Sequence, residues 1–286
     1  MQLSLRSFHA EQYGSKILTR VLILNLIFSG FLGCATNSPK RLSVEEKVKV
    51  EKAIGTELSR NFEKKLKFKQ DVEVSVYLRK IAERLMAATP EFNDSAIGLF
   101  VIQNFRGVWR NFSLPGNRIY LAAGLLKKME YENQLAAVIA MELGHLLKKD
   151  VLWRVRQNMD SEDIALSQPL VPASVTFDQL ILPEPSQLKT VEYFGPRGVF
   201  TFNQQVYLAA ASEAVGILYR AGFDPRGLCA LWETYRARAA HSPYDNKTLE
   251  KLIQKTRRVI AENAPLRNPV VRSPEFLEIQ KRIKKL

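Results

Sequence analysis

The stretch Glu132-Asn-Gln-Leu-Ala-Ala-Val-Ile-Ala-Met141-Glu142-Leu-Gly-His145-Leu-Leu-Lys-Lys-Asp150 decides how this chain is read. Leu135, Val138, Ile139, Leu143, Leu146 and Leu147 recur at helical spacing, no proline interrupts them, and lysines close the last turn. That pattern predicts a strongly buried helix. Met141, Glu142 and His145 follow the layout of His-Glu-x-x-His. In that motif two histidines four residues apart share one helix face and hold Zn²⁺, and the glutamate between them is the general base. Here the first histidine position holds Met141.

Working outward from this helix, Ser43-x-x-Glu46 has the form of a capping box and opens a charged amphipathic helix predicted to reach Leu58. A second helix, predicted over 72–88, stops before Thr89-Pro90. Ile97 to Asn104 and Arg118 to Ala122 have strand composition and are joined by a turn containing Leu114-Pro115-Gly116. After the motif helix, Pro169, Pro172, Pro183, Pro185 and Pro196 break any long helix, so residues 160–198 are expected to form an irregular insertion. Gln204 to Arg220 is helical by pattern and ends at Ala221-Gly222-Phe223-Asp224-Pro225, where glycine supplies the C-cap and proline the stop. Further helices are predicted over 228–239, 246–261 and 273–286, and the order of elements implies an α+β fold that is mostly helical.

The chain of 286 residues is long enough to bury a full core, and it divides most simply into a leader, a tether and one domain. Arg6, Lys16 and Arg20 precede the apolar run Val21 to Phe31, which is short for a membrane span and suits a signal peptide over residues 1–33. The run closes on Leu32-Gly33-Cys34, which resembles a bacterial lipobox, so Cys34 is expected to be acylated and to anchor the protein in the cell envelope. Ala35 lacks the aspartate that commonly retains such proteins at the inner membrane, so the expected location is periplasm-facing, at the outer membrane. Residues 34–44 then form a polar tether, and 45–286 the folded domain. With Cys34 consumed by lipid, Cys229 is left alone, and no intramolecular disulfide is expected. The net charge of +13 becomes +11 once a leader with Arg6, Lys16, Arg20 and Glu11 is removed, and that charge suits an anionic envelope surface. Nucleic acid is not an expected partner of an exported chain with no aromatic-basic binding motif.

Four stretches in order resemble the HtpX-like and BepA-like zinc metallopeptidases, a family with the gluzincin arrangement. Phe112-Ser113-Leu114-Pro115-Gly116 through Gly124-Leu125-Leu126 is similar to the family's Asn-Ala-Phe-Ala-Leu-Pro-Gly-Gly strand and following Gly-Leu-Leu. Glu132 to Lys149 is similar to its motif helix, and Phe202 to Pro225 to its Tyr-Ser-Arg-x-x-Glu-x-Glu-Ala-Asp helix. His241-Ser242-Pro243 and Ser273-Pro274-Glu275-Phe276 resemble its closing segments. The resemblance implies a zincin-like metallopeptidase fold with a short sheet beside the motif helix. It also implies that the family's first zinc-ligand histidine falls on Met141, its glutamate ligand on Ala209 and its supporting aspartate on Ala211, while Arg110-Asn111 replace Asn-Ala.

Only Glu142 and His145 therefore stay in register, as a vestigial general base and a vestigial ligand. Catalytic zinc needs three protein ligands, a thioether is a poor one, and alanine offers none. Glu213 lies four residues beyond Ala209, on the same helix face, and is the one candidate substitute there. No Gly-x-Ser-x-Gly elbow is present, and Cys229 has no adjacent histidine to activate it. The expected function is a pseudopeptidase without a cofactor that binds polypeptide clients or envelope proteins. The alternative is an active zinc metalloendopeptidase completed by Glu213 or by a residue of the insertion, and a purely structural envelope protein is the third possibility.

Overall fold

The polar caps of the chain set where its helices begin. In the computed structural model, which describes residues 43–92, 96–160, 188, 191–195 and 198–286, Asp71, Asn203, Asp245 and Ser273 each accept a hydrogen bond from the backbone N–H three residues on. Each such bond satisfies a donor that the first helical turn leaves free. The signal peptide, nearly all of the tether with Cys34, and most of the expected insertion lie outside the described residues. Val44–Leu286 cluster as one compact unit. Among the described residues no helix is long and apolar enough to cross a membrane.

The elements in order are α1 (Val44–Glu63), β1 (Phe68–Lys69), α2 (Val72–Ala87), β2 (Gly98–Ile102), β3 (Phe112–Leu114), β4 (Arg118–Ala122) and the single turn α3 (Ala123–Leu126). Then come α4 (Glu132–Leu147), α5 (Asp150–Asp160), α6 (Gln204–Arg220), α7 (Arg226–Ala237), α8 (Asn246–Ala261) and α9 (Pro274–Ile283). The fold is α+β and mostly helical, as the sequence implies. Several local expectations change. The first helix continues to Glu63, five residues past its expected end, because Leu58 and Phe62 stay on one buried face. The turn at Leu114-Pro115-Gly116 joins β3 to β4, and the two strands expected from composition, β2 and β4, pair in parallel. The sheet order is β1-β2-β4-β3, with antiparallel pairs at both edges.

The sheet separates two cores, as period-two alternation requires. Leu99, Val101, Ile119 and Leu121 pack toward α2 and α4 in the larger core, which α6, α7, α8 and α9 complete. Ile102 and Tyr120 point the other way, into an aromatic core around Phe62. There Phe62 lies 5.2 Å from Phe112, 5.0 Å from Tyr193 and 5.0 Å from Phe200, ring centre to ring centre. Helix α4 runs through the larger core with Leu135 to Ala140 all fully buried. The end of α6 is the expected one: Gly222 takes the left-handed conformation (φ 73°), and the Phe223 N–H returns to the Leu218 carbonyl.

Candidate functional site

The site begins with a close approach of two helices. A Cβ on Gly144 would lie 2.5 Å from the Ala210 carbonyl oxygen, so only glycine lets α4 and α6 come this near. Ala210, Ala211 and Ala214 are fully buried in the larger core, and Met141 is 2% exposed. Glu142 and His145 line a narrow recess of about 20 Å³, room for little more than a water molecule, together with Arg110 to Ser113 at the start of β3. Among the described residues, strand β3 is the outer strand of the sheet and pairs only with β4. It packs against α4, with Phe112, Ser113 and Leu114 all buried.

His145 is fixed on several sides. Its Nδ1 lies 2.7 Å from Asp150 Oδ2, and both side chains are 5% exposed. Phe202 stacks on the imidazole with ring centres 5.1 Å apart, and Tyr207 meets it edge-on at 5.8 Å. Tyr244 in turn packs edge-on against Tyr207 at 5.0 Å and against Tyr235 at 5.4 Å. The space around the imidazole is thus walled by aromatic side chains from three separate segments.

Burial dominates the electrostatics here. It raises the Glu142 pKa above the ordinary 4.5, against the pull of His145 and of the Ser113 hydroxyl, and so favours the neutral acid. Burial lowers the His145 pKa, but the Asp150 hydrogen bond and the charges of Asp150 and Glu142 together outweigh it, and the net direction is up from 6.5. Asp150 is raised above 3.8 by burial despite His145 and Lys148. The three groups titrate as a coupled set that holds protons more tightly than the same groups do in water.

Asp150 was not legible as part of the site, although it stands in the decisive stretch. It follows the end of α4, and its position depends on Lys149, whose backbone takes a positive φ of 56° and turns the chain back so that α5 starts against His145. Lys149 is anchored by its ammonium group, 2.7 Å from Glu51 Oε1. The other sequence candidates lie elsewhere. Glu213 is 40% exposed, with Oε1 3.5 Å from Lys148 Nζ, and it does not line the recess. Ala209 is half-buried on α6. His241 stacks on Trp109 at 4.7 Å and bonds the Gly107 carbonyl through Nδ1, so it buttresses that turn, while Asp245 caps the helix that follows. Cys229 is half-buried on α7, and burial pushes its thiol pKa up.

The donors assembled at the site are one imidazole, one thioether in the core, the Glu142 carboxyl, and the Asp150 carboxylate, which is engaged by His145. Among the described residues no group of three or more His, Cys, Asp or Glu side chains is placed to hold a metal ion. Zinc of the catalytic kind needs three such ligands and an open position, so this donor set does not fit it. The family model described as peptidase family M48 matches residues 77–276, from α2 to α9. No curated protein matches the chain.

Proposed function

The chain belongs to peptidase family M48, and from that premise we propose that it keeps the metallopeptidase-type framework and uses it to bind polypeptide without hydrolysing it. The observation that carries this is the chemistry at α4 and α6. Met141 and Ala211 are apolar side chains buried in the core, Ala209 has no donor, and His145 is the one imidazole in the recess. Without a metal-bound water, Glu142 has no nucleophile to activate. Glu213 lends no support to a completed zinc site, since it pairs with Lys148 at the surface. Arg110 and Asn111, half-buried where the chain enters β3, offer backbone at the recess, and backbone recognition by strand addition is independent of metal.

The sequence at Leu32-Gly33-Cys34 supports an acylated Cys34 and attachment to the envelope, with the domain facing the periplasm and its clients among polypeptides or envelope proteins. The test uses the purified full chain and pools of labelled, unstructured peptides. Fluorescence anisotropy should report saturable binding that a chelator does not change, and mass spectrometry of the recovered peptides should find them intact. Chelator-sensitive cleavage would overturn the proposal, and so would the absence of any binding.

A further inference from the structure

Arg110 is a cation placed at the junction of three hollows. It lines the recess over Glu142 and His145, a wider groove of about 430 Å³ that shares Phe202, Tyr207, Pro243 and Tyr244 with that recess, and a third hollow of about 300 Å³ over Phe105 and Phe194. It is half-buried, and its one hydrogen bond among the described residues is a long one, from Nη2 to the Pro243 carbonyl at 3.5 Å. Its charge reaches the Tyr207, Tyr235 and Tyr244 phenols. The carboxyls nearby are otherwise engaged. Burial favours the neutral form of Glu142, Asp150 is held by His145, and Asp245 caps α8 through the Thr248 N–H at 2.7 Å.

On the footing that the cleft holds polypeptide, we propose that Arg110 receives the free C-terminal carboxylate of a peptide whose last side chain is apolar. A guanidinium offers two parallel N–H donors that match a carboxylate, and such bonds strengthen among low-dielectric walls. The aromatic rings of Phe202, Tyr207 and Tyr244 suit an apolar final side chain. The recess holds this single guanidinium, and the charge of its other basic group, His145, is matched by Asp150, which suits a monoanion better than a phosphate. Its inner end is walled by Phe112, Phe200 and His145, each 5% exposed or less. The recess is narrow and closed at that end, so it admits a small group such as a terminal carboxylate and not a continuing chain.

The experiment compares three pools of N-terminally labelled decapeptides on the full chain by fluorescence anisotropy. The first pool ends in Leu or Phe as the free acid, the second has the same sequences as C-terminal amides, and the third is amidated with an internal aspartate. Wild type should bind the acids about tenfold or more tighter than either amidated pool, the scale of one charge-assisted pair in a dry site. Arg110→Gln should bind all three pools alike, and Arg110→Lys, which keeps the charge and loses the fork, should retain part of the preference. Equal binding of acids and amides by wild type, an unchanged preference in Arg110→Gln, or aspartate peptides matching the acids would each overturn this inference and leave polypeptide binding standing. Binding of no pool would remove both.

Discussion

Replacing Asp150 with alanine tests how the buried histidine is held. The His145–Asp150 hydrogen bond is 2.7 Å long between side chains that are each 5% exposed. Removing one partner of a buried, charge-assisted pair costs about 3–5 kcal/mol, against a total of roughly 5–15 kcal/mol for a domain. At about 2–4 °C per kcal/mol for a domain of this size, the melting temperature should fall by roughly 6–20 °C. Asp150→Asn keeps an acceptor and should cost less, about 1–2 kcal/mol. Glu213→Ala removes an exposed pair at 3.5 Å and serves as the control, within about 1 kcal/mol of wild type. The pH dependence gives a second readout. The folded pKa of His145 lies above 6.5, so its contribution is full below that pH and is lost as pH rises through the folded value. Glu142 and Asp150, raised above 4.5 and 3.8, act in the same direction from lower pH. Wild-type stability should therefore fall from about pH 6 toward pH 9. In Asp150→Ala burial acts on His145 with less opposition, so the fall should be shallower. Urea denaturation at the two pH values measures both quantities. A variant within about 1 kcal/mol of wild type, with an unchanged pH slope, would refute the role given to Asp150.

Three further outcomes follow from the packing and the leader. Gly144→Ala should destabilise by about 1–3 kcal/mol in denaturant titration, because its Cβ would meet the Ala210 carbonyl oxygen at 2.5 Å; wild-type stability would mean that the two helices are not so closely packed. Phe202→Ala should speed the reaction of His145 with diethyl pyrocarbonate several-fold and leave exposed His241 unchanged, since Phe202 covers the His145 ring. An unaltered His145 rate would contradict the aromatic wall. Intact-mass spectrometry of the membrane fraction should find a mature chain that begins at acylated Cys34, and an intact leader or unlipidated terminus would remove the proposed anchor.

Much of the fold was legible because it rests on local chemistry. The apolar spacing of α4 and the glycine stop after α6 each act within a few residues. Strand β1 was not legible, since two residues, Phe68 and Lys69, carry no period. The parallel pairing of β2 with β4 depends on contacts across the chain, which composition does not encode. The same limit applies at the site. Glu142 and His145 are visible as a motif, whereas Asp150 depends on the positive φ of Lys149, and the aromatic wall brings together residues 202, 207 and 244.

The central claim is that a peptidase framework persists here without a zinc site, and the metal content of the purified full chain tests it most directly. A complete three-ligand site is worth about 10–16 kcal/mol by analogy with structural zinc sites. One imidazole keeps on the order of 4–5 kcal/mol of that, roughly millimolar affinity. After dialysis against buffer with micromolar zinc, elemental analysis should find far less than one equivalent per chain, whereas stoichiometric zinc that survives dialysis would contradict the account.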